Sequence, residues 1–157
     1  MIVYENFLKD IDFQHLRNTI FDLDFSWNFN EISVDEGATI PQFTHLFFWD
    51  LAHRDTFKIL NPLIDFVQPK SLHRVKANLN YRTEKIVETG MHTDADERFT
   101  SAILYLNDNN GYTRIGNKKV ESKANRLLVF PSNIEHTGST CTNASRRVVI
   151  NMVYINQ

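Results

Sequence analysis

Residues 146–155 read RRVVINMVYI, and this run decides the architecture. A stretch so dense in β-branched and aromatic side chains suits a pleated strand. Alternation puts Arg147, Val149 and Asn151 on one face and Arg146, Val148, Ile150, Met152 and Tyr154 on the other. Apolar residues occur on both faces, so both need cover. The bulkier face suits packing against helices. The face that carries Arg147 then looks into the interior of a barrel.

Working outward, LHRVKANLNY (72–81), FTSAILYLN (99–107) and RLLVF (126–130) have the same strand composition. Asn109-Asn110-Gly111 and Gly116-Asn117 between them are hairpin chemistry. Before residue 70 the pattern differs. Ile11, Leu16, Ile20 and Leu23 predict one helical face, with Asp10 or Asp12 as N-cap. Phe57, Leu60, Ile64 and Val67 predict a second helical stretch; Pro62 follows Asn61 as a first helical residue would, and Pro69 lies just beyond the end. SWNFNEISV (26–34) and QFTHLFFWD (42–50) read as aromatic-rich strands between the helices. The expected fold is mainly β with N-terminal helices: a double-stranded β-helix, or jelly roll, whose larger sheet the helices back. One domain over 1–157 is expected, with 1–70 a helical support region and 71–157 the jelly-roll core.

The 157 residues suffice for one such core. A net charge of −2 gives no indication of a nucleic-acid partner. The charge is uneven: residues 1–60 hold 4 basic and 10 acidic side chains, and residues 61–157 hold 13 and 9, which suits a small anionic ligand in the second part. Cys141 is the sole cysteine, which excludes an intramolecular disulfide and a cysteine-based metal cluster. MIVYENFLKD lacks the pattern of a secretory signal, and no apolar run approaches the length of a membrane span, so a cytoplasmic protein without membrane association is expected.

The chemistry gathers around MHTD (91–94). His92 and Asp94, two positions apart, point to the same side of an extended segment and can share a metal ion. His136, in NIEHTG after RLLVFPS, offers a third ligand. Two histidines and a carboxylate form a facial triad with open positions, which favours non-haem Fe(II) over zinc. A dicarboxylate co-substrate would fill two of those positions and need a cation for its far end. Arg147, on the barrel face, has the planar fork for that task. Met91, opposite in parity to the ligands, is expected to pack into the barrel wall, with Thr93 on that same face.

HTD at 92–94, His136 and Arg147, together with SAILYLN, the turn before Tyr112-Thr113, RLLVFPS and RVVIN, resemble the Fe(II)/2-oxoglutarate-dependent oxygenases, and within them the prolyl-4-hydroxylase-like branch, in its small single-domain microbial and phage form. The resemblance spans roughly residues 74–155. It implies that His92, Asp94 and His136 hold the iron, that Arg147 pairs with the distal carboxylate of 2-oxoglutarate, and that Tyr105 hydrogen-bonds the same carboxylate. Ile103 and Tyr105 share a strand face, which fits that placement. A tyrosine facing the co-substrate often stands near ANLNY in such proteins; here Asn80 or Tyr81 takes the place, and strand parity points to Asn78 and Asn80. Asn125 stands where relatives commonly have glycine, and Gly111 alone precedes Tyr112 where they often have two.

The implied reaction consumes Fe(II)-bound 2-oxoglutarate and O2, releases succinate and CO2, and hydroxylates a substrate C–H bond. The carboxylate ligand Asp94 occupies the position halogenating relatives leave to halide. The substrate, protein, peptide or metabolite, is not specified, with peptidyl proline among the candidates. TEKIVET (83–89) and FNEISVDEGATIPQF (29–43) are expected at the rim. His45 is a further candidate for the pocket, while His15, His53 and His73 have no ligand spacing. The alternatives are a cupin-like metal-binding protein, which would not need Arg147 with Tyr105, and a non-catalytic binding module, against which the intact set His92, Asp94, His136 and Arg147 argues.

Overall fold

The computed structural model of the chain describes residues 1–31 and 40–157. In order it contains β1 (Ile2–Tyr4), α1 (Asp10–Phe21), β2 (Asn28–Asn30), β3 (Gln42–Trp49), β4 (Ala52–His53), a 3-10 turn (Asp55–Leu60), α2 (Asn61–Val67), β5 (Ser71–Tyr81), β6 (Thr100–Tyr105), β7 (Tyr112–Ile115), β8 (Lys118–Glu121), β9 (Arg126–Pro131), β10 (His136–Gly138) and β11 (Arg146–Ile155). The run that opened the sequence reading, β11, lies in the middle of an eight-stranded sheet ordered β1-β9-β6-β11-β5-β3-β2, with β4 beside β3. A smaller sheet, β10-β7-β8, faces it. The result is the double-stranded β-helix with its helices on the outside of the larger sheet.

Parity along β11 separates two cores. Val148, Ile150, Met152 and Tyr154 pack with Phe13, Leu16, Ile20, Leu60 and Leu63 on the helix side. Val149 packs with Ile103, Tyr105, Val120, Leu128 and Phe130 between the sheets. Arg146 stays outside, its guanidinium 4.3 Å from the Phe21 ring centroid. Arg147, one residue on, is buried.

Several local expectations change. In α1 the buried face is Phe13, Leu16 and Ile20, while Ile11 and Leu23 are exposed. The spacing explains this: 13, 16 and 20 are three and four apart, whereas 11 and 16 are five apart and diverge around the helix. Leu23 lies beyond the helix end. Lys9 is the N-cap, and Asp10 and Asp12 occupy the first turn, where carboxylates favour the helix dipole. α2 begins at Asn61, so Pro62 is its second residue and not its first, and Gln68 closes it in the left-handed conformation (φ 46°). The residues before 70 also supply β1, β2, β3 and β4 to the larger sheet, so that region is more than helical support. Of 26–34 only Asn28–Asn30 is strand; Ile32–Val34 lie outside the described residues.

Gly116-Asn117 turns the β7–β8 hairpin, with Gly116 at φ 55°. Asn109-Asn110-Gly111 does not make a hairpin. It carries the chain from β6 in the larger sheet to β7 in the smaller one, and the Gly111 amide donates to Asn109 Oδ1 at 3.0 Å. A Cβ at Gly111 would lie 2.6 Å from the Thr140 carbonyl and 2.7 Å from Arg147 Cδ, so glycine is required by close approach. Asn125 takes the left-handed conformation (φ 60°) that asparagine tolerates. Its side chain accepts from the Leu8 amide at 2.9 Å and donates to the Leu8 carbonyl at 2.8 Å, tying the N-terminal segment to the barrel. A glycine would supply the backbone shape without that clamp.

Candidate active site

β10 and the segment 90–94 meet through paired backbone hydrogen bonds. The His92 amide donates to the His136 carbonyl at 3.0 Å and the reverse bond is 2.9 Å. This bridge sets the two imidazoles side by side, ring centroids 4.4 Å apart. Asp94 completes the group: one ligand atom from each of His92, Asp94 and His136 lies within 4.8 Å of the others. His136 Nε2 is 3.5 Å from Asp94 Oδ2.

The histidines are oriented by their own backbone neighbourhoods. His92 Nδ1 lies 3.3 Å from the Gly90 carbonyl, and His136 Nδ1 lies 3.1 Å from the Ile134 carbonyl. A carbonyl only accepts, so each Nδ1 is the donor and Nε2 is the ring nitrogen left available to a metal. Burial, and then the neighbouring His136, lower the His92 pKa and favour the neutral ring.

Asp94 is fixed by side chains from three strands. Arg74 of β5 donates to Oδ1 at 2.8 Å, while Ser101 of β6 and Asn151 of β11 donate to Oδ2 at 2.7 and 3.1 Å. Burial alone would raise its pKa; His136, Ser101, Arg74 and Asn151 outweigh this, and the carboxyl is held below its usual value. Met91 and Thr93, expected in the barrel wall, are exposed. The segment pairs only through the His92–His136 bridge and is no regular strand of either sheet, so turning away from the site leads to solvent and not to a core.

The cavity beside this group is lined by Asn78, Asn80, Ile103, Thr113, Arg147, Val149 and Asn151, among others. Arg147 Nε donates to Ser122 Oγ at 2.8 Å and Nη2 to Thr113 Oγ1 at 3.1 Å, with the Tyr105 ring centroid 5.5 Å away. Among the described residues no carboxylate lies within ion-pair distance of it. Burial pushes its pKa below the usual arginine value. Tyr105 is fully buried, its hydroxyl beside Thr113 and Arg147 and 3.5 Å from the Val120 carbonyl; burial raises its pKa. Asn80 lies cross-strand from Arg147, and Asn78 from Val149. Among the described residues, Asn78 Oδ1, Asn80 Nδ2 and Asn151 Oδ1 are buried without a hydrogen-bond partner. Tyr81 points out and is partly exposed, so parity decides between it and Asn80 in favour of Asn80.

Other expected positions fall elsewhere. His45 faces the helix-side core, held between the Ser26 carbonyl and the Thr56 hydroxyl at 2.8 Å each. In the rim segment Thr89 lines the cavity, and Thr83, Val87 and Thr89 bond along Gly138–Cys141. Gln42 also lines the cavity and donates to Asn80 Oδ1 at 3.2 Å; residues 32–39 of the other rim segment lie outside the described residues.

Sequence reasoning missed Arg74 and Lys76. Both share strand parity with Asn78 and Asn80, and that signal could have found them. Lys76 lines the cavity, and burial, with Arg74 nearby, lowers its pKa to about 8.

The 2OG-Fe(II) oxygenase superfamily model matches residues 51–155. No curated protein sequence matches the chain. Among solved structures, a Pseudomonas putida prolyl-4-hydroxylase aligns with a TM-score of 0.67 at 18% identity, covering 99% of this chain and 92% of that one. A Trichoplax adhaerens prolyl hydroxylase, solved with a hypoxia inducible factor oxygen degradation domain peptide fragment, gives 0.69 at 15% identity, with 99% and 83% covered. The viral collagen prolyl hydroxylase of Paramecium Bursaria Chlorella virus-1 gives 0.57 at 14% identity, with 99% and 90% covered. With the family match spanning both ends of the His-Asp-His group and the arginine strand, the chain belongs to the 2OG-Fe(II) oxygenase superfamily, whose members use Fe(II), 2-oxoglutarate and O2.

Proposed function

We propose that the protein is a hydroxylase in which His92, Asp94 and His136 hold Fe(II) and Arg147 receives the distal carboxylate of 2-oxoglutarate. The observation that carries this reading is the buried Arg147 guanidinium, which has hydroxyl partners but no carboxylate among the described residues. A cation removed from water without a counter-ion costs several kcal/mol. A dicarboxylate anchored at the metal group supplies that counter-ion. The donor set also fits: two Nε2 lone pairs and one carboxylate leave positions open for a chelating co-substrate.

When bound, the iron with 2-oxoglutarate and O2 supplies the oxidative step, in which the co-substrate leaves as succinate and CO2 and a substrate C–H bond is hydroxylated. The chain's own part is placement. The Arg147 fork grips the distal carboxylate, and the Tyr105 hydroxyl, beside it, offers a further hydrogen bond. Asn78 and Asn80 present unpartnered amide atoms toward the same co-substrate. Ile103 and Val149 line its bed and keep water from it. Arg74, Ser101 and Asn151 hold Asp94 in one orientation, so the metal group does not have to be ordered at the moment of binding.

The test is anaerobic. Fe(II) and then 2-oxoglutarate are added, and a visible metal-to-ligand charge-transfer band is expected. A folded protein that binds iron and gives no band refutes the reading, and favours the cupin-like alternative. For the substrate, the prolyl hydroxylase neighbours make a proline-containing peptide the first to try, with succinate formation and hydroxylated product as readouts.

A further inference from the structure

The cavity wall nearest the metal group carries a cation that the proposed chemistry does not use. Lys76 lies on β5 cross-strand from Asn151, whose Nδ2 donates to Asp94. Arg147, four residues before Asn151 on β11, stands about 13 Å away along the strand. Lys76 is therefore at the metal end of the cavity and Arg147 at the other. Among the described residues the Lys76 ammonium has no hydrogen-bond or ion-pair partner. It is not needed to neutralise Asp94, which already has Arg74 at 2.8 Å. Beside it, Asn151 Oδ1 is a buried acceptor without a donor among the described residues.

Charge decides what this wall can receive. The 2-oxoglutarate C1 carboxylate would be met by the metal and its distal carboxylate by Arg147. Counting Fe(II), Asp94, the co-substrate dianion, Arg74 and Arg147, the site is cationic before Lys76 is added. A neutral substrate would leave that excess unmatched at the cavity wall. We infer that the substrate carries a carboxylate that seats on Lys76 within reach of the iron, with an N–H of the same molecule donating to Asn151 Oδ1. The inference rests on the function proposed above and names its substrate class: an amino acid, or a residue with a free carboxylate, in place of a neutral prolyl ring alone.

The experiment uses the whole protein loaded with Mn(II) in place of Fe(II) and with 2-oxoglutarate. Paramagnetic relaxation of the probe's own protons reports binding beside the metal without turnover. The probes are free L-proline, the α-amide of N-acetyl-L-aspartic acid, and neutral N-acetyl-L-prolinamide. At least one carboxylate probe is expected to bind and the neutral probe to bind more weakly. Lys76→Met should weaken the carboxylate probe about tenfold or more, and Lys76→Arg should restore most of it. The Fe(II)–2-oxoglutarate band, measured separately, should be the same in all three proteins, which also shows that the variants fold. Preference for free proline assigns the anion to an α-carboxylate, and preference for the aspartate probe assigns it to a side chain. The inference is overturned if no carboxylate probe binds at millimolar concentration, if the neutral probe binds as well, or if Lys76→Met weakens 2-oxoglutarate and not the probe. Iron uptake without a band in the unsubstituted protein sinks the proposed function itself, a separate failure.

Discussion

Arg147→Met gives the sharpest test, because stability and binding should respond oppositely to the usual expectation for a buried residue. In the free protein Arg147 is buried with two hydroxyl partners and no counter-ion among the described residues. Its burial costs several kcal/mol, which Ser122, Thr113 and the Tyr105 ring partly offset. Methionine removes that cost, fills similar volume, and leaves two hydroxyls short of a donor at about 1 kcal/mol each. The free variant should therefore unfold within about 1–2 kcal/mol of the parent, on either side. With 2-oxoglutarate the balance reverses. Removing one partner of a buried ion pair costs about 3–5 kcal/mol, a loss of roughly two to four orders of magnitude in affinity. Urea denaturation of the free protein and anaerobic titration of the charge-transfer band measure the two quantities. Arg146→Met is the control: its guanidinium lies on Phe21, so it should lose about 1 kcal/mol of stability at most and no 2-oxoglutarate affinity. A large loss of stability in Arg147→Met with unchanged 2-oxoglutarate binding would refute the reasoning.

Other outcomes follow from the same geometry. Asp94→Asn removes the anionic ligand and strands Arg74, so iron retention through dialysis should fall well below the parent's while the fold, read by circular dichroism, persists. Asn125→Gly keeps the left-handed backbone and loses both bonds to Leu8, for about 1–3 kcal/mol; Asn125→Ala adds conformational strain and should be the less stable of the two in denaturant unfolding. Gly111→Ala forces its methyl against Arg147 Cδ and the Thr140 carbonyl, and 2-oxoglutarate titration should show weaker binding even where the protein still folds. Glu88, paired with Arg114 and Tyr112, has its pKa lowered chiefly by the Arg114 hydrogen bond. A depressed carboxyl pKa stabilises the fold above the unfolded value, and the contribution is lost as pH falls through the folded value. The pair is partly open to solvent, so Glu88→Gln should lower the midpoint only slightly at pH 7, by the equivalent of about 1 kcal/mol or less, and the gap should close as the pH falls through the lowered folded value. A gap of the same size at acid pH would mean that the charge is not its source.

Much of the architecture was legible because strand alternation is a local rule. RRVVINMVYI separated Arg147 from Arg146, and the same parity chose Asn80 over Tyr81. Applied one step further along β5, it would have brought Lys76 and Arg74 to the cavity as well. Turn composition was less informative. Asn109-Asn110-Gly111 has hairpin residues, yet which sheet the next strand joins depends on long-range pairing, and β7 joins the smaller sheet. The helix face was misread at Ile11 and Leu23 because apolar character alone was weighed, while Phe13 completes the three-and-four spacing that meets the sheet. Met91 was given a wall that 90–94 does not have, since that segment pairs through a single bridge and is not a regular strand.

The sequence by itself determined the identity and order of the chemical groups: a histidine and an aspartate two apart, a later histidine, and an arginine on a strand with a defined inward face. Spacing along one chain segment is covalent and local, so it can be read directly. What only the tertiary structure decided is which groups share a neighbourhood across strands. The backbone bridge between His92 and His136 sets the two rings side by side. Three strands converge on Asp94. Among the described residues, Arg147 is left buried without a carboxylate and Lys76 is left at the His-Asp-His end of the cavity with no partner. Those facts depend on sheet order and register, which are fixed by the packing of the whole barrel and by no segment of it alone.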